Sequence, residues 1–284
     1  MRNIILINGA LFASFILVAC EADSGSAAGP AVTDSLAVSA TTTDETATTT
    51  IEEEIDEEAV AVLKRMTDTV AALQEFKVTM ETGFDVTQPD GEKLEFGSRR
   101  SASIRRPDQA RFKFQKRSGQ SGQLVFDGTD IWAYDPEENV YASIPQPGDI
   151  DASLDFATVE LGIPVPVSDF FAADPGAHLA ADVLTASDLG PSTVGGRPGR
   201  QVAFRKPGVD YQVWVGDADS LPTRVVITYT EEPGQPQFWA QFIEWDTAPG
   251  GDDAVFSFEL PEGAESIRFA TFDGSVEVDE GAAQ

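Results

Sequence analysis

One histidine and one cysteine occur in the 284 residues of this chain, and each scarcity removes a class of chemistry. A single imidazole, His178, cannot form a two-histidine metal site. A hydrolase triad would depend on that residue alone, and no serine lies in a nucleophile-elbow pattern. Because Cys20 is the only thiol, no intrachain disulfide and no multi-thiolate metal site is available. We expect no catalytic residue, metal or cofactor; a hydrolase dependent on His178 is the enzymatic alternative.

Positive charge is also scarce, with 19 Lys and Arg against 48 Asp and Glu and a formal net charge of −29. A surface of this charge repels nucleic acid and anionic lipid unless it carries a local basic patch. We therefore expect no nucleic-acid partner. The hydrophobic content of 42% and the 18 Phe nevertheless predict a packed domain.

The N-terminus carries an apolar stretch over residues 4–17, preceded by Arg2. This stretch is shorter than a membrane-spanning helix and is typical of a secretory signal peptide. It ends in Leu17-Val18-Ala19-Cys20, which resembles the bacterial lipobox, so we expect a signal peptide over residues 1–19 and acylation of Cys20, palmitate included. The alternative is an uncleaved anchor with a buried cysteine. Glu21 follows the cysteine directly. Retention of a lipoprotein at the inner membrane usually requires Asp at this position, so Glu21 favours the outer membrane.

Two further segments lack large apolar side chains. Residues 20–51 consist mainly of Ala, Ser, Thr, Gly and Asp, which cannot offset the entropy of ordering, so we predict a disordered, lipid-anchored tether. Such a coil has a reach of about 30 Å. Residues 270–284 are acidic and small, and predict a flexible tail.

The segment over residues 52–269 predicts a folded domain. Residues 55–73 show helical periodicity with acidic first turns, and from residue 76 the period changes to two. Consecutive strands run to residue 144. Two short helices are predicted over residues 149–171, one beginning at Asp149 or Asp151 and the other at Ser168. Strands return from residue 183, and the last is predicted at Phe256–Leu260. This pattern predicts about ten or eleven antiparallel strands in a mainly β domain with α (α+β).

This order of elements, with the stretch Asp127-Gly128-Thr129-Asp130-Ile131-Trp132-Ala133-Tyr134-Asp135-Pro136, resembles the LolA/LolB/LppX-like lipoprotein-carrier superfamily. Residues 59–269 are similar to the predicted periplasmic domain-of-unknown-function family 2092. That similarity is carried by Leu63-Lys64-Arg65-Met66, Glu160-Leu161-Gly162-Ile163-Pro164, Leu221-Pro222 and Pro261-Glu262-Gly263-Ala264. The superfamily resemblance implies a curved antiparallel half-barrel whose apolar concave face, covered by helices, holds acyl chains. The smaller family implies the fold more than a function.

Two groups of apolar residues are candidates for such a cavity. The concave wall is predicted from Phe112, Phe114, Phe126, Trp132 and Tyr134, and the lid from Ile163, Val165, Phe170 and Phe171. The alternative is that the helices fill the concavity completely.

Residues 99–117 concentrate eight of the 19 cations around a single acid, Asp108. The cations are Arg99, Arg100, Arg105, Arg106, Arg111, Lys113, Lys116 and Arg117. They could dock phospholipid headgroups or an acidic partner, or they could face solvent and be neutralised by the protein's own acids. Alternation favours the solvent side for Arg99, Arg105, Arg111 and Lys113. Arg100 has the parity of the inner face, which makes it the main candidate for an anionic-headgroup contact, with Arg106 as a second.

The sequence therefore predicts a non-enzymatic, lipid-anchored protein on the periplasmic face of a bacterial envelope, at the outer membrane. We expect it to bind a lipid or acyl chain in the half-barrel, in lipid or lipoprotein trafficking. The alternative is a protein-interaction or envelope-stress-sensing module on the same fold, which binds another envelope protein and no lipid cargo.

Overall fold

The computed structural model describes residues 54–269, which form an open, curved antiparallel sheet with short helices on one face. The strands are β1 Glu75–Thr87, β2 Lys93–Arg105, β3 Gln109–Lys116, β4 Ser121–Asp127, β5 Asp130–Asp135, β6 Val140–Pro145, β7 Thr185–Val194, β8 Arg197–Lys206, β9 Val209–Gly216, β10 Pro222–Tyr229, β11 Gln237–Asp246 and β12 Glu265–Ser266. The helices are α1 Glu57–Ala72, α2 Ile150–Val159 and α3 Pro175–Leu179, with 3₁₀ turns at Ser168–Phe170 and Asp253–Phe256. The predicted fold class is confirmed.

Two antiparallel meanders, β1–β6 and β7–β11, join where β1 pairs with β11, and the strand order is β12-β6-β5-β4-β3-β2-β1-β11-β10-β9-β8-β7. Short segments from the ends of the domain cover part of each edge. Asp56 N donates to the carbonyl of Ala186 on β7 (3.0 Å), and Ile267 N donates to the carbonyl of Tyr141 on β6 (2.8 Å). Such pairing reduces the row of free edge amides that would otherwise recruit another strand.

Helix α1 begins at the N-cap Asp56, whose Oδ1 accepts the Glu58 amide at 2.8 Å. The acidic side chains of Glu57 and Glu58 lie in its first turn, where the helix dipole favours negative charge. Its apolar stripe, including Val62 and Met66, is buried against β7, β8, β9 and α3. The helix that the periodicity predicts therefore covers the β7–β9 half of the inner face.

A second covering segment, the lid (residues 150–179), contains α2, the turn Ser168–Phe170 and α3. Asp149 is the N-cap of α2 and accepts the Ala152 amide at 2.9 Å. The amide of Ile150 donates to the carbonyl of Pro107 at 2.9 Å, which fixes the start of the lid beside the β2–β3 turn. The sequence prediction of two short helices here is confirmed, with α3 as a third.

The predicted last strand at Phe256–Leu260 is wrong. The chain instead forms the C-terminal strap (residues 253–267), which crosses the outer face of the first meander before β12 pairs with β6. Phe256 is buried beneath the Arg105 guanidinium (4.5 Å from its ring centroid), and the Phe258 ring stacks on Trp132 at 5.0 Å. The alternating apolar side chains therefore anchor an irregular segment to a sheet face and do not form a strand.

Candidate ligand-binding site

The inner face of the first meander is a set of apolar rows fixed by strand register. One row joins Phe76, Ile104, Ala110, Phe126 and Ile131 across β1 to β5, and all five are buried. The next row contains the predicted wall residue Phe112, opposite Ala102 and Leu124. These rows form the floor under the lid.

The lid fills the space above this floor. The ring centroid of Phe171 lies 6.2 Å from those of Phe76 and Phe112, and the Phe170 ring lies 5.8 Å from Phe242. Phe170 is 2% exposed and Phe171 1% exposed. Val165 is buried in the same core, and Ile163 packs against it. The four predicted lid residues therefore lie in the hydrophobic core, in agreement with the alternative in which the helices occupy the concavity.

Two hollows that are open to solvent lie outside the space between the lid and its floor. One, of about 430 Å³, is lined by residues 72–75 and 247–250 at one end of β1. The other, of about 270 Å³, is described below and lies mainly on the outer face. Neither matches the acyl-chain hollow that the sequence predicts beneath the lid.

The prediction that Trp132 and Tyr134 line the concavity is wrong. In β5 Ile131 pairs with the inner-face Phe126, so the alternate residues Trp132 and Tyr134 point to the outer face. There the Trp132 indole donates to Asp127 Oδ2 (2.9 Å) and stacks on Phe258, and the Tyr134 ring lies 6.1 Å from Phe258. Both faces of β5 are apolar because the strap covers the outer one, and alternation alone could not tell the two faces apart.

The lid does not cover the whole inner face of β1–β3. We call the uncovered part the open end, and it contains Thr82, Phe84, Phe96, Ser98, Arg100 and Phe114. Phe84 pairs with Phe96, and their rings stack at 5.8 Å. Phe96 is 49% exposed, although it lies on the face that is buried elsewhere. Phe114, another predicted wall residue, is half-buried because it lies on Gly122, where a Cβ would stand 2.7 Å from the ring. The open end thus presents aromatic surface to solvent.

Arg100 lies within the open end, as its parity predicts. Its Nε donates to Ser98 Oγ at 3.0 Å and is 3.3 Å from Thr82 Oγ1, and its guanidinium lies 5.6 Å from the Phe114 ring centroid. Among residues 54–269, no carboxylate forms an ion pair with it within 4.0 Å. Burial lowers the pKa of Arg100 to about 10, so the group stays protonated at neutral pH. A half-buried cation without a counter-ion favours the binding of an anion.

Arg106, the second predicted headgroup contact, is not part of this site. It lies six residues further along the chain, about 20 Å away for an extended strand. Its Nε donates to the Leu73 carbonyl at 3.1 Å, and its guanidinium lies over Phe76 at 6.0 Å, where burial lowers its pKa. Its Nη2 is buried and has no hydrogen-bond partner among the described residues. The contacts of Arg106 join the end of α1 to the sheet.

Sequence reasoning missed the pair Phe84–Phe96 and the hydroxyls of Thr82 and Ser98. Strand alternation could have identified the hydroxyls, because residues two apart lie on the same face of a strand. Ser98 lies two residues before Arg100, and Thr82 lies two residues before Phe84. His178 lies in the last turn of α3, with its Nδ1 3.6 Å from Asp169 Oδ1. The described part of the chain contains no cluster of three metal-ligating side chains and no helix long and apolar enough to span a bilayer.

The family model described as predicted periplasmic protein (DUF2092) matches residues 59–270. The chain belongs to this family. The match confirms the family expected from the sequence motifs and extends over both meanders and the lid. No curated protein matches the sequence.

Similar solved structures include those of two mycobacterial proteins. LprF from Mycobacterium bovis is 14% identical, with 74% of this chain and 99% of LprF covered and a TM-score of 0.44. For the lipoprotein LppX from Mycobacterium tuberculosis the identity is 13%, the coverage 67% and 96%, and the TM-score 0.42. A LolA superfamily protein from Nitrosomonas europaea is 11% identical over 70% of this chain and 97% of its own, with a TM-score of 0.33. Likenesses of this size carry no conclusion about a ligand.

Proposed function

We propose that this protein is a non-enzymatic, lipid-anchored periplasmic protein that binds an anionic amphiphile at the open end. The ligand is a lipid or acyl chain with a negatively charged head group. The observation that carries the proposal is Arg100, an ionised and half-buried guanidinium 5.6 Å from the centroid of the half-buried Phe114 ring, with no ion-pairing carboxylate among the described residues.

The two parts of such a ligand match two parts of the open end. Acyl carbons packed on Phe84, Phe96 and Phe114 leave water, and each buried CH₂ contributes about 0.8 kcal/mol. A carboxylate or phosphate on Arg100 gains a charge-assisted hydrogen bond, which is roughly twice as strong as a neutral one. Because Phe170 and Phe171 occupy the space under the lid, the acyl chain in this proposal lies along the open end.

The membrane connection is part of the same proposal. Acylation of Cys20 would attach the chain to the periplasmic face of the outer membrane, with residues 20–51 as the tether. Both lie outside the described residues. The description of the family as predicted periplasmic supports the compartment. Transfer of lipid or lipoprotein within the envelope is the corresponding cellular role.

The filled interior favours a second candidate, a protein-interaction or envelope-sensing module. In that case the open end takes an apolar, acidic segment of another envelope protein and no lipid. The same exposed Phe96 and unpaired Arg100 serve either ligand, so the distinction requires a binding measurement.

The test uses the full chain with Cys20→Ala in every variant, so that acylation does not contribute. Binding of a fluorescent fatty acid, and its displacement by oleate, is compared between Arg100→Gln and the adjacent Arg99→Gln. Arg99 is a matched control because it lies on the outer face, where its Nη1 is 3.7 Å from Glu81. We expect Arg100→Gln to weaken binding by about tenfold or more, since a hydrogen bond to a charged group is worth roughly 1.5–3 kcal/mol.

Two outcomes contradict the lipid proposal. The first is no fatty-acid binding by the parent chain, and the second is equal weakening by Arg99→Gln and Arg100→Gln. Absence of fatty-acid binding, together with saturable binding of an acidic apolar peptide that Arg100→Gln weakens, would establish the second candidate.

A further inference from the structure

A groove of about 270 Å³ lies on the outer face of β1–β3, opposite the open end. Strand alternation places six of its eight lining residues on the outer face, and the remaining two, Arg100 and Phe114, belong to the inner one. We call these six the outer groove: Lys77, Thr79, Arg99, Ser101, Lys113 and Gln115.

The register places the hydroxyls of the groove between its cations. Thr79, Ser101 and Lys113 form one cross-strand row, and Lys77, Ser103 and Arg111 form the next. Strands β1 and β3, which flank β2, are about 10 Å apart. The side chains of Lys77 and Lys113 are long enough to approach each other across that distance, over the small side chains of β2. The floor of the groove therefore offers hydroxyl hydrogen bonds and its sides offer positive charge.

Ion pairing separates the cations of this region into two groups. Arg99 pairs with Glu81, Arg105 with Glu75 and Asp253, and Arg117 with Glu95. In contrast, no ion pair within 4.0 Å involves Lys77, Arg111 or Lys113 among residues 54–269. Neutralisation by the protein's own acids, which alternation favours for Arg99, Arg105, Arg111 and Lys113, is thus found among the described residues for the first two and not for Arg111 and Lys113.

The surroundings of Lys113 are positive on two sides. Burial lowers its pKa first, and the charges of Arg111 and Lys77 lower it further. Arg111 is held in place because its Nη2 donates to the Ser257 carbonyl of the strap at 2.6 Å. The nearest acids are Glu259, whose charge raises the pKa of Arg111 against the effect of burial, and Glu244 and Asp246 of β11, which lie directly opposite Thr79 and Lys77 in the strand register. In a chain of net charge −29, three unpaired cations around one groove are unexpected.

We propose that the outer groove binds a phosphate-type oxyanion, with Lys77 and Lys113 as its charged contacts and the Thr79 and Ser101 hydroxyls as hydrogen-bond donors. A phosphomonoester carries about −1.5 to −2 at neutral pH and has three acceptor oxygens, which suits a site with several donors and more than one cation. The four proposed contacts lie on the face of β1–β3 opposite to the open end, although Arg100 and Phe114 also line the groove.

The test titrates inorganic phosphate into the full chain carrying Cys20→Ala, at low ionic strength, by isothermal calorimetry. The double variant Lys77→Gln/Lys113→Gln is compared with Lys64→Gln/Lys93→Gln, which removes the same charge from exposed lysines paired elsewhere, with Asp68 and with Asp85. We expect the groove variant to bind phosphate about tenfold more weakly, because each exposed ion pair contributes a factor of up to about five. The control should change less than twofold. Phosphate bound at Arg100 rather than in the groove would be lost in Arg100→Gln and kept in the groove variant.

A vesicle assay identifies the source of the phosphate. Co-sedimentation with phosphatidylcholine vesicles containing phosphatidic acid, but not with phosphatidylcholine alone, and its loss in the groove variant, would assign a lipid head group. Phosphate binding without co-sedimentation would assign a soluble phosphorylated ligand.

The inference is overturned if the parent chain binds neither phosphate nor phosphatidic acid, or if the groove variant and the lysine control lose affinity equally. It is also overturned if only Arg100→Gln reduces phosphate binding. Unchanged far-ultraviolet circular dichroism of each variant would show that a loss of binding is not a loss of fold.

Discussion

Replacing Phe171 by alanine tests whether the lid fills the concave face. The Phe171 side chain is 1% exposed and lies against Phe76 and Phe112, which belong to the floor of the first meander. Phe-to-Ala changes at such sites lose the transfer free energy of the ring and leave a cavity, at a cost of about 3–5 kcal/mol. We therefore expect Phe171→Ala to lower the free energy of unfolding by that amount.

Phe96→Ala is the matched control on the same sheet face. Phe96 is 49% exposed, so about half of the 1.5–3 kcal/mol for burying a Phe side chain is at stake, or about 1 kcal/mol. Urea unfolding can be followed by fluorescence, because Trp245 lies 5.7 Å from Phe76 and reports on the floor. In thermal unfolding, the two variants should differ by several degrees, at about 2–4 °C per kcal/mol for a domain of this size.

A loss of less than about 1 kcal/mol in Phe171→Ala would refute the filled interior, since a tightly packed Phe cannot be removed so cheaply. It would mean that the lid rests loosely on the sheet and that acyl chains can enter beneath it. Equal losses in Phe171→Ala and Phe96→Ala would also contradict the packing difference described above.

Three individual contacts stabilise the fold in ways that single substitutions can test. Asp56→Ala should lower the free energy of unfolding by about 0.5–2 kcal/mol through loss of the α1 cap, and Asp56→Ser should restore most of it in urea unfolding. The hydrogen bonds from Arg200 lower the pKa of Asp188 to about 2. This pair therefore stabilises the fold above pH about 4, and its contribution is lost as the pH falls towards 2. Asp188→Asn should flatten that part of the profile of unfolding free energy against pH in acid titrations. Trp132→Ala should leave fatty-acid affinity unchanged while lowering the melting temperature, because the indole lies under the strap on the outer face.

Much of the fold could be predicted because its signals are local. The 3.6-residue stripe of α1 and the two-residue period of β1–β11 each follow from the side chains of one segment. The parity of Arg100 also placed it correctly on the inner face. The strap could not be predicted in the same way. Phe256 and Phe258 alternate as in a strand, and only a partner strand or its absence decides the structure that they form.

The candidate site shows the same division. The alternation that correctly places Phe112 and Phe126 on the inner face also predicts, wrongly, that Trp132 and Tyr134 lie there. The difference is that the strap buries the outer face of β5, so polar residues do not mark it as the solvent side. Phe170 and Phe171 fill the concavity because of where the lid packs against the sheet, and no periodic pattern in the sequence predicts that position.

The sequence by itself determined the order of α1 and β1–β11, the family, the acidic charge and the scarcity of groups for catalysis, because each is a property of composition or of neighbouring residues. The tertiary structure decided which faces are covered, which of the eight clustered cations have carboxylate partners and where aromatic surface stays exposed. These depend on contacts between residues as far apart as Arg105 and Asp253, and such pairings arise only when the sheet curves and the strap closes over it.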